Sequence, residues 1–125
     1  MEPVHRLKKV YISGAMTGLP DNNFPAFDEA AHLVAIHGLM FSNPANIARD
    51  IFYEVEHGIR PMPCRYGFMR EDIKAMCDCN AVLLLQGWQK SWGAKWERII
   101  AKYVFDMPIF ESIDEAAEWA NTPLE

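Results

Sequence analysis

Glu97 closes the segment Gly87-Trp-Gln-Lys-Ser-Trp-Gly-Ala-Lys-Trp-Glu97, which follows the chain's longest branched apolar run, Ala81-Val-Leu-Leu-Leu85. A glutamate in the first turns of a helix is favoured by the helix dipole, by about 0.3–1 kcal/mol at a solvated surface. On a helical wheel it falls roughly 40° from Gly93 and roughly 60° from Ile100, at the margin of the apolar face. Two readings are open: a solvated surface carboxylate, or a carboxylate kept ionised by the helix terminus and aimed into a ligand crevice. The second candidate is the loop Ser13-Gly-Ala-Met-Thr-Gly18. Gly14 and Gly18 permit close backbone approach, and the hydroxyls of Ser13 and Thr17, flanking Met16, can bond an oxygen-rich ligand. The loop matches neither the Gly-Lys-Ser/Thr phosphate loop nor Gly-x-Gly-x-x-Gly. The same residues also make an ordinary tight turn.

Positioning these groups falls to short β-rich runs that alternate with amphipathic stretches. Strands are expected at 9–13, 39–42, 81–85 and 108–110. Helices are expected at 24–37, with Phe27, Ala30, Ala31 and Val34 inside and Gly38 as the stop, and at 65–78, with Tyr66, Met69, Ile73, Met76 and Cys77 on one side. A further helix at 92–105 would turn Trp96, Ile99, Ile100, Tyr103 and Val104 inward, and a last one spans 113–120. Residues 44–64 read as the least regular part, a surface excursion with at most a short helix around Ile47, Ile51, Phe52 and Val55. The alternation predicts a single α/β domain over 1–125. Its expected architecture is a three-layer α/β/α stack with a mostly parallel sheet of about four to five strands, Rossmann/flavodoxin-like. Ligands of such sheets sit outside the carboxyl ends of the strands, so the chemistry belongs in the loops after Ser13, Ser42 and Leu85.

Composition narrows the classes. The chain has 125 residues, half of them apolar, and 12 Lys+Arg against 17 Asp+Glu give a net charge of −5. That balance argues against binding a nucleic-acid polymer but allows one small nucleotide pocket. No run approaches about 18 apolar residues, so no membrane span is expected. The stretch Met1–Lys9 lacks the apolar core of a secretory signal, which points to the cytoplasm. Cys64, Cys77 and Cys79 lack zinc-knuckle spacing and are expected to be reduced, mostly buried thiols, with no metal site. His5, His32, His37 and His57 receive no catalytic role.

Val10-Tyr-Ile-Ser-Gly14, Arg70-Glu-Asp72 with Ile73 and Asp78, the run 81–85, Ser91-Trp-Gly-Ala-Lys-Trp-Glu97, Ala101 and Pro108-Ile-Phe110 occur in a telling order. Together they resemble the nucleoside 2-deoxyribosyltransferase-like superfamily, which includes 2′-deoxynucleoside 5′-monophosphate N-glycosidases. More narrowly they resemble the small DUF4406 group often encoded by phages and prophages. The resemblance covers about residues 9–112 and matches 44–64 poorly.

The resemblance implies that Glu97 is a nucleophile attacking C1′ of a sugar, through an oxocarbenium-like transition state and a glycosyl-enzyme. It implies that Asp72 protonates or orients the departing base, unless Asp72 is a helix-surface carboxylate. Ser91, six before Glu97, stands where monophosphate hydrolases keep a phosphate-binding serine; it also suits a simple N-cap. Gly93 fits close approach of the anion, and Tyr11, Ser13 and Gly14 match the first-strand ligand loop. Trp88, Trp92 and Trp96 can stack a base or join the core. Lys95 departs from the family's usual glycine; it would either contact phosphate or crowd the pocket and neutralise Glu97. The implied chemistry is that of a nucleotide N-glycosidase or deoxyribosyltransferase with a nucleotide or nucleoside substrate and no cofactor. A homodimer or larger closed homo-oligomer is also implied, with contacts from apolar residues in 47–68. The alternative is a non-catalytic phage protein on the same fold that sequesters a nucleotide or ADP-ribose-type signal.

Overall fold

A computed structural model describes residues 8–123. Most of the leader reading (1–7) and His5 lie outside the described residues. The elements run β1 (Lys9–Ser13), α1 (Phe24–Ile36), β2 (Met40–Ser42), α2 (Pro44–Glu56), α3 (Arg65–Met76), β3 (Ala81–Leu84), α4 (Trp92–Tyr103), β4 (Ile109–Phe110) and α5 (Ile113–Ala120). The four strands form one parallel sheet in the order β2-β1-β3-β4. Helices cover both faces, giving the expected three-layer α/β/α stack.

The two central strands are buried on both faces, which is why they read as apolar runs. Val10 and Ile12 pack with α1 and α5 on one face, against Phe27, Ala31, Val34 and Ala116. Tyr11, Val82 and Leu84 face the other way, towards Met76 of α3 and Ala101 of α4. The chain leaves β1 towards β2 on one side and reaches β3 on the other, so the loops at the carboxyl ends of β1 and β3 diverge. That divergence opens a crevice. At the opposite end of β1 the buried ammonium of Lys8 donates to the carbonyl oxygens of Trp119 and Thr122 and lies 4.8 Å above the Trp119 ring, tying α5 to the sheet.

Three expectations are corrected. Residues 44–56 are a regular helix, not an irregular excursion. Asn43 caps it by accepting the Ala45 N–H at 3.0 Å, Pro44 occupies its first turn, and its buried face is the small-residue set Pro44, Ala45 and Ala48 with Ile51. A clamp of Asp28 with Arg49 (2.5 Å) and Asn43 (3.0 Å) holds α2 on α1. Second, the inward face of α4 is Ala94, Glu97 and Ala101, while Trp96, Ile99, Tyr103 and Val104 are exposed and Ile100 is half-buried. Small side chains let α4 sit close to the sheet, and bulk turns outward. Third, on α3 Tyr66 and Cys77 are exposed, and of the thiols only Cys79 is buried. Among the described residues no helix is long and apolar enough to cross a membrane.

Candidate active site

Side chains alternate along a strand, so Tyr11 and Ser13 project from the same face of β1, towards α4. Glu97, in the second turn of α4, descends onto that face and is 4% exposed. The Tyr11 hydroxyl donates to Oε2 of Glu97 at 3.0 Å, and the Ser13 hydroxyl donates to Oε1 at 2.6 Å. Each carboxylate oxygen thus has its own donor, and the carboxylate plane is fixed. Asp72 of α3 makes a further hydrogen bond with Glu97.

Among the described residues no cation neutralises this cluster from within hydrogen-bond distance. Burial pushes Asp72 up to about 8, with the Glu97 charge adding to it. Burial also pushes Glu97 up to about 7, while the hydrogen bonds from Ser13, Tyr11 and Asp72 pull it back. Burial, then the neighbouring Glu97, raises the Tyr11 phenol well above its ordinary range. Two carboxyls this close share a proton near neutrality. Glu97 has the two hydroxyl donors, so the proton resides on Asp72 and the negative charge on Glu97. One base-like and one acid-like carboxyl therefore stand side by side.

Both carboxyls border a cavity of about 450 Å³. Its rim is Gly14, Met16 and Thr17 from the loop after β1, together with Lys90, Ser91 and Gly93 at the start of α4. Ser91 is the α4 N-cap and accepts the Ala94 N–H at 3.1 Å, so the capping reading is correct; the same hydroxyl retains a hydrogen to donate into the cavity. The first-turn N–H groups of Trp92 and Gly93 have no carbonyl partner within the helix. A Cβ on Gly14 would stand 3.0 Å from Cβ of Leu85, so any side chain there would require Leu85 to give by a few tenths of an ångström. On Gly93 it would meet only ordinary contacts at 3.7–3.8 Å, and its absence serves cavity space.

Five expected ligand residues do not border the cavity, and two of them, Tyr11 and Ser13, are fully buried beneath Glu97. Gly18 lies in an exposed turn at φ +82°. Trp88 donates its indole N–H to Glu111 at 2.9 Å and carries the Arg98 guanidinium 5.5 Å from its ring centre, away from the cavity. Lys95 is exposed and neither lines the cavity nor neutralises Glu97; two residues before Glu97 it sits roughly 200° round the helix. Of the other tryptophans, Trp92 lines the cavity and Trp96 is exposed.

Residues not singled out from the sequence complete the walls. The cations at the cavity are Arg65 and Lys90, and the Arg65 guanidinium lies 4.3 Å from the Trp92 ring centre. Phe24, Phe52, Phe68 and Met69 form much of the apolar lining. A helical wheel through Asp72 carries the missed signal: Met69, Phe68 and Arg65 precede it at three, four and seven residues, on its own face. Among the described residues no group of three or more His, Cys, Asp or Glu could hold a metal ion.

No curated protein and no solved structure matches the chain. A family model described as a domain of unknown function, DUF4406, matches residues 8–110, from the residue before β1 to the end of β4. The match takes in the loops after β1 and β3, α3 with Asp72, and α4 with Glu97, and the chain belongs to the DUF4406 family.

Proposed function

We propose that the protein is a nucleotide N-glycosidase or deoxyribosyltransferase of the nucleoside 2-deoxyribosyltransferase-like type. It would cleave the bond between C1′ and the base of a (deoxy)nucleoside 5′-monophosphate. The observation that carries the reading is the carboxyl pair at the cavity, with buried Glu97 held between the Tyr11 and Ser13 hydroxyls and half-buried Asp72 beside it, both raised by burial.

In the first step an oxygen of Glu97 bonds to C1′ as the C1′–N bond breaks. The bonding electrons pass to the base nitrogen, which takes the proton of Asp72, and the base leaves neutral. In the second step water or an acceptor base attacks C1′, the now ionised Asp72 takes the proton released, and Glu97 departs as a carboxylate. Tyr11 and Ser13 hold the nucleophile in one orientation throughout, which lowers the cost of reaching the attack geometry. Ser91, the free N–H groups of Trp92 and Gly93, Lys90 and Arg65 supply the donors and positive charge that a 5′-phosphate requires. The feature behind the sequestering alternative, a lysine crowding Glu97, is absent from the cavity, because Lys95 faces solvent.

The test is chromatographic detection of free base from a panel of nucleoside and deoxynucleoside 5′-monophosphates, with wild type beside Glu97→Ala. Base release that falls at least ~10²-fold in the variant is the expected result. Absence of release from every member of the panel, in protein that remains folded, sinks the reading.

A further inference from the structure

Helix α3 carries both polar and apolar parts of the cavity wall, with Phe68 and Met69 between Arg65 and Asp72. Arg65 sits against Trp92 at the start of α4, so the cations and the free helix N–H groups share one end. Away from that end Phe24, Phe52 and Phe68 form a continuous aromatic patch, and the polar side chains of Thr17 and Asn22 are exposed in the loop after β1. The Phe24 and Phe52 rings stack with centres 6.4 Å apart and planes 27° apart, and Phe68 meets Phe52 edge-on at 6.0 Å. Phe68 stands one helical turn before Asp72, which joins this wall to the proton donor. Pro44, Ala48 and Met69 extend it, and none of these six side chains can read a hydrogen-bonding pattern.

We infer that the wall formed by Phe24, Phe52 and Phe68 is the subsite for the departing ring, and that it selects a neutral planar heteroaromatic group by area and thickness and not by edge pattern. The inference rests on the glycosidic reading, which sets the ring beside Asp72. Strong discrimination between rings of one size needs buried polar groups that go unpaired with the wrong ligand. This wall offers none. Rings as different at their edges as adenine, hypoxanthine and benzimidazole are therefore equivalent occupants, and α2, through Phe52, sets the acceptable ring size.

The experiment is calorimetric titration of the full chain with those three free rings, using wild type, Phe52→Ala and Phe52→Leu. The rings should bind within about 10-fold of one another. Loss of the Phe52 ring should weaken all three together by about 10-fold or more, the scale of one stacking contact. Phe52→Leu keeps apolar volume and is read in place of Phe52→Ala if circular dichroism shows that the alanine variant unfolds. Adenine binding more than ~100-fold tighter than benzimidazole overturns the inference, as does unchanged affinity in the folded variants or failure of any ring to bind. Titration of free rings needs no turnover. Ring binding without base release from any monophosphate would sink the glycosidic reading alone; base release with sharp selection among same-sized purines would sink the ring subsite alone.

Discussion

Two polar clusters in this molecule are built around carboxyl groups, and their environments are opposites. Asp28, on the exposed side of α1, meets the Arg49 guanidinium and the Asn43 amide, and its carboxyl is held below the usual range by the Arg49 hydrogen bond. Glu97 is buried and Asp72 half-buried; among the described residues neither has a counter-ion in contact, and both are raised. The first cluster fastens α2 to α1 at little electrostatic cost, since each charge finds its complement. In the second, charge is confined where solvent is scarce and is only half neutralised, by a shared proton. Structural carboxylates are satisfied; reactive ones are kept short of satisfaction.

The contrast breaks most sharply at Asp72. In Asp72→Asn the acid is lost while the shape is retained, and kcat/KM for base release should fall by ~10²-fold or more. Steady-state kinetics across pH would show the mechanism of the loss. Wild type should give a bell whose limbs reflect Glu97 at about 7 and Asp72 at about 8, and the variant should lose the alkaline limb. A bell that survives unchanged would remove Asp72 from the chemistry.

A smaller effect is expected from the clamp on the nucleophile. Ser13→Ala removes one of the hydrogen bonds that lower Glu97, so the acid limb should move to higher pH, with a loss of roughly 10-fold in kcat/KM at pH 6.5. Tyr11→Phe should shift the same limb in the same direction. Two variants that lower the rate without moving the limb would reduce Tyr11 and Ser13 to packing.

Stability should separate the two clusters by the sign of its pH dependence. Asp72 and Glu97 bind protons more tightly folded than unfolded, so their contribution is present below the unfolded carboxylate range and is lost as pH rises towards 8. Thermal melts of wild type should accordingly fall between pH 5 and 8.5, and Asp72→Asn should flatten that decline. Asp28 is lowered, so its contribution is present above the unfolded range and disappears only as pH falls below about 4. Arg49→Ala should therefore cost a constant amount across pH 5 to 8.5. For an exposed pair that amount is about 0.2–1 kcal/mol by denaturant titration. A pH-dependent loss in Arg49→Ala, or a melt that rises with pH in wild type, would erase the distinction.

What the sequence made legible was whatever apolar pattern alone determines. The run 81–85 read as a buried strand and is one, and Gly38 ends α1 as a left-handed residue. The layered parallel fold followed from the alternation of such elements. Less was legible where small or polar residues fill core positions. Ala94 and Ala101 carry no signal beside Trp96 and Tyr103, so the apolar wheel of α4 points to its exposed side. Helix α2 depends on a clamp between separate elements that local pattern does not contain. Glu97 could be suspected from its place on α4, and resemblance supplied Asp72. The donors that orient Glu97 are 86 and 84 residues away, and only the parallel register of β1 beside β3 brings them beneath it.

Tyr11 and Ser13 reach Glu97 because they are one pleat apart. Were β1 to slip by a single residue against β3, both hydroxyls would swing to the α1 side and Ile12 would lie under Glu97. The displaced phenol would enter apolar packing, and the buried carboxylate would lose both of its hydroxyl donors. A strand as uniformly apolar as Val10–Ile12 offers little of its own to forbid such a slip. The polar pair therefore acts as a registration mark for the central sheet: an off-register chain is penalised by the same residues that orient Glu97 in the correct one.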